Sequence, residues 1–394
     1  MRKEHSNSNS MNWIKNNKAN IALSMVSVII TLVAVDTTLY FSRYKYVISK
    51  QLYPRSYFAK DIEIGHDIAP NAATTTHFFE DSSYPVWSNN LGCFDTDYAG
   101  ETPYLYMAGD SLTWGFSPFE EMWGTRVQAL LGIRTVKCGV TGGYGTKQEF
   151  IKTSRNLARL PAPELIIVEH FSGNDIDEDA NFPINTVYNG YLVPNLAKGG
   201  VTEEQAQEKY ARFDAMCTTE PPAYPTIQRV RCFLSNHSVL YNFVKKDIRR
   251  AILSIFPQSI LEKMDLIAHE KRVVVASSNT DYEKHLGNIL EFKKLAKEKK
   301  AKLLFVLVPG EDERLLPFLK KEGISYLDLG PLFEKYSKVK PLHWKINGHW
   351  NIAGQNLAGF AVAKFIIEND LVDVARKEDV LKKINTDMEK EFVE

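Results

Sequence analysis

The sequence predicts an α/β protein with a central parallel five-stranded sheet between helical layers, preceded by one N-terminal transmembrane helix. Three observations favour this prediction. Short apolar segments alternate with segments of helical periodicity along residues 101–368, a pattern typical of parallel sheets. Polar or glycine-rich residues follow these apolar segments, as they do at the carboxyl ends of strands in open sheets that bind ligands. A long apolar run also occupies residues 21–41.

Composition limits the class of protein. The chain has 394 residues, of which 44% are hydrophobic and 24% charged, so it can bury a sizeable core. Its 48 basic and 48 acidic residues give a formal net charge of zero. Nucleic-acid binding that depends on a large basic excess is therefore disfavoured, and we expect no nucleic-acid partner.

Residues 21–41 are predicted to be a transmembrane signal anchor that follows a polar N-terminal tail, residues 1–20. As a helix, this segment spans roughly 31 Å, about one hydrocarbon core. Asp36 interrupts it, and the apolar part before Asp36 has the length of a signal-peptide core. Since no A-x-A-like cleavage site follows, we favour a retained single-pass anchor over a cleaved signal.

The part of the chain after the anchor is predicted to be extracytoplasmic. The basic residues that follow the span count against this orientation, because the positive-inside rule does not favour a cytoplasmic N-terminus here. Cys217 and Cys232 bracket a loop-like stretch, and a local disulfide there would fit an oxidising compartment. Four unpaired thiols are the alternative, and the pairing of Cys93 and Cys138 stays open.

The chain after the anchor is divided into three parts. Residues 42–100 contain prolines and polar runs without helical periodicity, and are interpreted as a stalk and an irregular extension. Residues 101–368 form the α/β domain, with a long insertion at 176–280 that breaks the alternation, and residues 369–394 are a charged helical tail. The predicted strands are 104–108, 134–138, 164–171, 302–308 and 324–329, and the predicted helices are about 120–131, 146–159, 281–300, 311–322 and 351–368.

Four short motifs follow predicted strands and carry reactive or polar groups. They provide a serine, a histidine, a side-chain amide and glycine-rich backbone N–H groups. Acyl transfer needs such a set, because it requires a nucleophile, a base and donors for an oxyanion. The motifs are residues 109–115 (GDSLTWG), 138–145 (CGVTGGYG), 172–175 (SGND) and 345–351 (KINGHWN).

These four blocks, in this order, resemble the SGNH/GDSL hydrolase superfamily, and in particular its membrane-anchored or exported members. The resemblance covers about residues 85–368. It implies an SGNH-type, flavodoxin-like three-layer sandwich and a serine esterase or acyl hydrolase. The implied substrate is a small acyl ester, an O-acylated glycan or a lipid of the cell envelope. Because the chain has no HExxH and no CxxC motif, we expect neither a metal nor a cofactor.

The resemblance also implies roles for individual residues. Ser111 matches the nucleophile and His349 the general base. The N–H groups of Ser111 and Gly142, with the amide of Asn174, match the oxyanion donors. The structural alternatives are a helix-capping serine, a turn glycine, a loop-capping asparagine and a buried histidine. His343 is a rival base, while Gly139 and Gly143 are rivals of Gly142.

Asn347 departs from the family pattern, which has Asp two or three residues before the histidine. Asn347 can orient His349 through its amide carbonyl but supplies no charge. Three outcomes are open: a Ser–His pair oriented by Asn347 or a backbone carbonyl, a substitute carboxylate, or a weakened relative that binds without turnover. The candidate carboxylates, chosen by their positions at strand ends, are Asp110, Asp175 and Asp328.

Three functions therefore fit the sequence. The first is hydrolysis through an acyl-enzyme at Ser111. The second is O-acyl transfer to a surface polysaccharide by the same site, with a membrane protein as a candidate acyl-donor partner. The third is a catalytically weakened, membrane-tethered binding subunit.

Overall fold

A computed structural model describes most of the chain and divides it into two compact units. One unit comprises residues 1–50 and 219–268, and the other comprises residues 51–218 and 269–394. Cys217, Cys232 and Asn347 lie outside the described residues, so the predictions made for them stay predictions. The described residues are 17–41, 56–79, 82–188, 190–195, 230, 233–234, 237–241, 244, 279–310, 312–344 and 348–392.

The elements are numbered here in chain order. The strands are β1 (Phe58–Asp61), β2 (Gly65–Ile68), β3 (Thr75–Phe79), β4 (Ser82–Val86), β5 (Tyr104–Ala108), β6 (Arg134–Lys137), β7 (Leu165–His170), β8 (Asn185–Tyr188), β9 (Tyr191–Pro194), β10 (Lys302–Leu307) and β11 (Ser325–Asp328). The described helices are α1 (Lys18–Phe41), α2 (Ser111–Trp114), α3 (Trp123–Leu131), α4 (Thr146–Leu157), α5 (Asp175–Ala180), α6 (Asn279–Lys299), α7 (Leu315–Lys321), α8 (Gly330–Ser337), α9 (Ile352–Glu368) and α10 (Lys377–Phe392).

The first unit contains the N-terminal apolar helix, α1. Its segment Ala19–Tyr40 is long and apolar enough to cross a membrane, a property that signal sequences share. Asp36, which interrupts the apolar run, has hydrogen-bond partners within this unit. Its carboxylate accepts the N–H of Leu240 at 2.7 Å and the hydroxyl of Ser238 at 3.1 Å. The charged residue therefore has a structural partner, which the sequence alone did not reveal.

The second unit is built around a parallel five-stranded sheet in the order β11–β10–β7–β5–β6. Side chains alternate across β5, because successive residues of a strand point to opposite faces. Leu105 and Met107 belong to the core cluster under α3 and α9, whereas Tyr104 and Tyr106 belong to the cluster under α4 and α6. The predicted three-layer α/β sandwich is confirmed.

Residues 56–95 differ from the irregular extension expected from the sequence. β1 pairs with β2 and β3 pairs with β4 in two antiparallel hairpins. Gly65 closes the first hairpin with a φ of 81°, a backbone conformation that favours glycine. The strands are only four or five residues long and partly polar, so period-two patterning was too weak to detect. Their apolar side chains join an aromatic cluster beside α2.

A disulfide joins Cys93 to Cys138 across 45 residues of sequence. Both cysteines are buried, and Cys138 directly follows β6. The bond therefore ties the N-terminal extension to the sheet. It also constrains the unfolded chain, which stabilises a fold by typically 2–4 kcal/mol.

Candidate active site

The turn after β5 presents Ser111 at the carboxyl edge of the sheet. Gly109 is needed there because a Cβ atom would overlap the Thr113 side chain. Asp110 caps α2, since its Oδ1 accepts the N–H of Leu112 at 2.8 Å. Ser111 is the first residue of this helix, so its own N–H has no partner within the helix. Ser111 thus provides both a hydroxyl that could act as a nucleophile and a backbone N–H at the start of a helix.

His349 lies 238 positions after Ser111 in the sequence but contacts it in the fold. Its Nε2 lies 2.8 Å from the Ser111 Oγ. The histidine sits beside a bridge that pairs His343 with Trp350, and its carbonyl accepts the N–H of Trp344 at 2.8 Å. Asn351 then caps α9 by accepting the N–H of Gly354 at 3.0 Å. His349 rather than His343 therefore meets the serine.

The electrostatic surroundings suit His349 to act as a base. Burial lowers the pKa of its imidazole below the ordinary value, the Asp110 carboxylate opposes this effect, and His343 adds to it. The imidazole is consequently neutral at neutral pH. With Nε2 unprotonated, the Ser111 hydroxyl donates its hydrogen bond to that atom and can pass its proton there.

Asn174 lies at the same edge, but its amide is already engaged. Its Nδ2 donates to Asp110 Oδ2 at 2.8 Å and to Glu178 Oε2 at 3.1 Å. Ser111 Oγ lies 3.4 Å from the same Asp110 oxygen. The structure thus brings Asn174 and Ser111 together around Asp110. The oxyanion role of Asn174 remains a prediction, because one of its two hydrogen bonds must first be exchanged.

Gly142 lies in the loop after β6 and has conformational reasons to be glycine. Its φ is 100° and that of Gly143 is 80°, both in a region that other residues rarely adopt. A Cβ atom at Gly142 would also overlap Leu192 of β9, and the Gly142 carbonyl accepts a hydrogen bond from the Asn185 amide. The oxyanion role of its N–H stays a prediction.

Of the three candidate carboxylates, Asp110 is the one whose contacts place it at the site. Asp175 is fully buried and accepts the N–H of Phe171 at 2.9 Å. Asp328 accepts the N–H of Gly330 at 2.8 Å at the start of α8. Both of these carboxylates thus bind local backbone, whereas Asp110 acts electrostatically on His349.

Glu169, which was not predicted as a site residue, lies on β7 beneath the turn that presents Ser111. Its Oε2 accepts the N–H of Asp110 and the hydroxyl of Thr113, each at 3.1 Å. Burial raises the pKa of the Glu169 carboxyl well above its usual value, and the Asp110 and Glu149 carboxylates raise it further. The signal was present in the sequence as a glutamate that directly follows four apolar residues of a buried strand.

The described residues contain no group of three or more His, Cys, Asp or Glu side chains placed to hold a metal ion. No protein-family model matches the chain, and no curated protein matches it either.

Solved structures do match. A protein named as lipolytic, of the G-D-S-L family, from Desulfitobacterium hafniense is 12% identical with a TM-score of 0.30, covering 67% of this chain and 99% of its own. A lipolytic G-D-S-L family member from Veillonella parvula is 11% identical with a TM-score of 0.31, covering 66% and 96%. A protein named as an acylhydrolase from Bacteroides fragilis is 13% identical with a TM-score of 0.33, covering 70% and 90%.

The resemblance to the SGNH/GDSL superfamily rests on the four sequence blocks and on the parallel sheet that carries them, because the identities and TM-scores of these matches are low. The roles of the site residues rest on the contacts described above.

The buried Glu169 carboxyl predicts a pH-dependent effect of Glu169→Gln, which keeps an accepting oxygen but cannot ionise. A raised pKa in the folded state favours the folded protein below the ordinary glutamate pKa of about 4.3, and this advantage is lost as pH rises. We expect thermal unfolding to show that the variant becomes more stable relative to wild type as the pH rises from 5 to 8. Glu298→Gln, on the exposed face of α6, is the control. A pH-independent difference for Glu169→Gln would contradict the assignment.

Proposed function

We propose that this protein is a serine esterase that hydrolyses ester-linked acyl groups. The observation that carries the proposal is the 2.8 Å contact between Ser111 Oγ and His349 Nε2. A hydroxyl that donates to a neutral imidazole is the arrangement of an activated serine nucleophile. Ser111 lies in the first turn of a short helix and close to the Asn174 amide. Backbone and side-chain N–H groups are therefore near the position where negative charge would develop.

The proposed reaction begins when Ser111 Oγ attacks the ester carbonyl carbon and its proton moves to His349 Nε2. The ester C–O bond then breaks, and His349 returns the proton to the departing alcohol. Water then attacks the acyl carbon and gives a proton to His349 Nε2. The bond between the acyl carbon and Ser111 Oγ breaks, His349 returns the proton to Ser111 Oγ, and the acid leaves. The N–H groups of Ser111 and Gly142 and the Asn174 amide are the proposed oxyanion donors, with Asn174 exchanging a carboxylate partner for the oxyanion.

We infer that Asp110 supplies the negative charge that Asn347 lacks. The Asp110 carboxylate raises the pKa of the His349 imidazole, so it stabilises the imidazolium that forms during the reaction. Asn347, in the block just before His349, is the proposed orienting residue. Charge and orientation would then come from two residues, whereas one aspartate provides both in the family pattern.

The proposed substrate is an O-acylated glycan or a lipid ester of the cell envelope. Two observations support an extracytoplasmic site. Helix α1 is long and apolar enough to anchor the chain in a membrane. The Cys93–Cys138 disulfide is typical of an oxidising compartment. O-acyl transfer to a polysaccharide would use the same acyl-enzyme, with a sugar hydroxyl in place of water.

The full chain in detergent is expected to hydrolyse p-nitrophenyl acetate, and Ser111→Ala to lower kcat by roughly 10³-fold or more, since removal of the nucleophile abolishes acyl-enzyme formation. Ser117→Ala, which removes a buried hydroxyl six residues later, is the matched control and should retain activity. Equal rates for wild type and Ser111→Ala would refute the esterase. Product formed only when a sugar acceptor is added would identify a transferase.

If Asp110 supplies the charge that Asn347 lacks, Asn347→Asp is expected to leave kcat within about threefold of wild type, because a second carboxylate adds little to the stabilisation of the imidazolium. The same ester assay measures it. A rise in kcat of about tenfold or more would contradict the assignment of this charge to Asp110.

A further inference from the structure

We propose that Phe116 is a positioning residue for His349, whose ring holds the imidazole against Ser111. The turn that presents the nucleophile would then also set the orientation of the base. This inference rests on the proposed function, because it concerns how the base of that same site is oriented.

The first support is the packing of the imidazole. The Phe116 ring lies 4.3 Å from the His349 ring, centroid to centroid, at an interplanar angle of 56°. Phe79 from β3 lies 6.5 Å from His349 at 88° and 4.6 Å from Phe116. Both phenylalanines are at most 2% exposed. A pair of immobilised aromatic rings therefore packs against the base.

The second support is the backbone of Phe116. Its φ is 38°, and it follows Gly115 with a φ of 110°. Two successive residues in this region turn the chain sharply at the end of α2, and Gln355 holds the turn by donating to the Gly115 carbonyl at 2.9 Å. Such a φ is unfavourable for a bulky residue. Such outliers cluster at functional sites, so the φ of Phe116 is consistent with a role for its side chain.

The third support is a second link between Phe116 and the base. The Trp344 Nε1 donates to the Phe116 carbonyl at 3.2 Å, and the Trp344 backbone N–H donates to the His349 carbonyl at 2.8 Å. Phe116 thus contacts the imidazole through its ring, and its carbonyl binds Trp344, whose backbone N–H in turn binds His349. Only five positions separate Phe116 from Ser111, so one short turn links the nucleophile to the base.

The aromatic cluster also contains a matched control. Phe94 is 1% exposed, as Phe116 is. Its ring packs 5.5 Å from Trp114, and Trp114 packs 4.9 Å from Phe116. Phe94 is therefore one ring removed from Phe116 within the same cluster. Substitution of either phenylalanine by leucine removes one buried ring and keeps apolar bulk.

The test compares Phe116→Leu with Phe94→Leu in the full chain, using ester hydrolysis. A displacement of about 1 Å in a catalytic group can cost roughly 10²-fold. We therefore expect Phe116→Leu to lower kcat by about 10- to 100-fold with KM nearly unchanged, and Phe94→Leu to stay within about threefold of wild type. Equal losses in the two variants would overturn the proposal. Phe116→Met serves in the same comparison if the leucine variant does not fold.

A second readout does not require activity. In full chain labelled with ¹⁵N-histidine, the His349 resonance is identified by its loss in His349→Gln, and its titration gives the imidazole pKa. Burial lowers this pKa in the wild type, with Asp110 and His343 as the charged or titratable groups that act on it. Phe116→Leu should raise it toward the ordinary value of about 6.5, and Phe94→Leu should not. An unchanged pKa in Phe116→Leu overturns the proposal, even if the wild type proves to have no esterase activity.

Discussion

The hydrogen bond between Ser111 and His349 is the interaction on which the functional interpretation depends. It joins residues 238 positions apart. Ser111 lies where β5 ends at the carboxyl edge of the sheet, and the residues just before α9 bring His349 to that edge. The cap by Asp110 fixes the start of α2, which begins at Ser111, and the cap by Asn351 fixes the start of α9, three residues after His349. The sheet and these two caps together bring the hydroxyl and the imidazole within hydrogen-bond distance.

Two carboxyl groups, those of Asp110 and Glu169, lie at the turn that presents Ser111. Asp110 accepts hydrogen bonds from the Leu112 backbone and the Asn174 amide, and lies beside the Ser111 hydroxyl. Glu169 lies beneath it, and burial raises the pKa of its carboxyl. The raised pKa favours the uncharged form of Glu169, whereas Asp110 is the carboxylate that raises the pKa of the His349 imidazole. This difference between the two carboxyl groups matters because several ionised carboxylates together would oppose the formation of an oxyanion.

Much of this arrangement could be predicted from sequence, because buried strands are continuous apolar runs. The five predicted strands match β5, β6, β7, β10 and β11 to within about a residue at each end, and the predicted Ser111–His349 pair is in contact. The hairpins of residues 58–86 were missed because their strands are short and partly polar. The Cys93–Cys138 pairing could not be deduced, because spacing alone does not determine connectivity.

Other features depend on three-dimensional neighbours that no local pattern encodes. The Asn174 amide faces two carboxylates because Asp110 and Glu178 converge on it in the fold. The φ of Phe116 is also unexpected, since glycine or asparagine normally occupies that region. Both departures from local expectation occur at the candidate site, where consistency between sequence and structure is most often relaxed.

The most direct test of the central claim is covalent labelling of the full chain by a fluorophosphonate, followed by peptide mass mapping. An activated serine attacks phosphorus, displaces fluoride as the P–F bond breaks, and retains the phosphonyl group, whichever ester is the natural substrate. The structure predicts one modification, at Ser111, and labelling slowed by roughly 10²- to 10⁴-fold in His349→Gln, because the general base is lost. Labelling at another serine, or an equal rate in His349→Gln, would contradict the account.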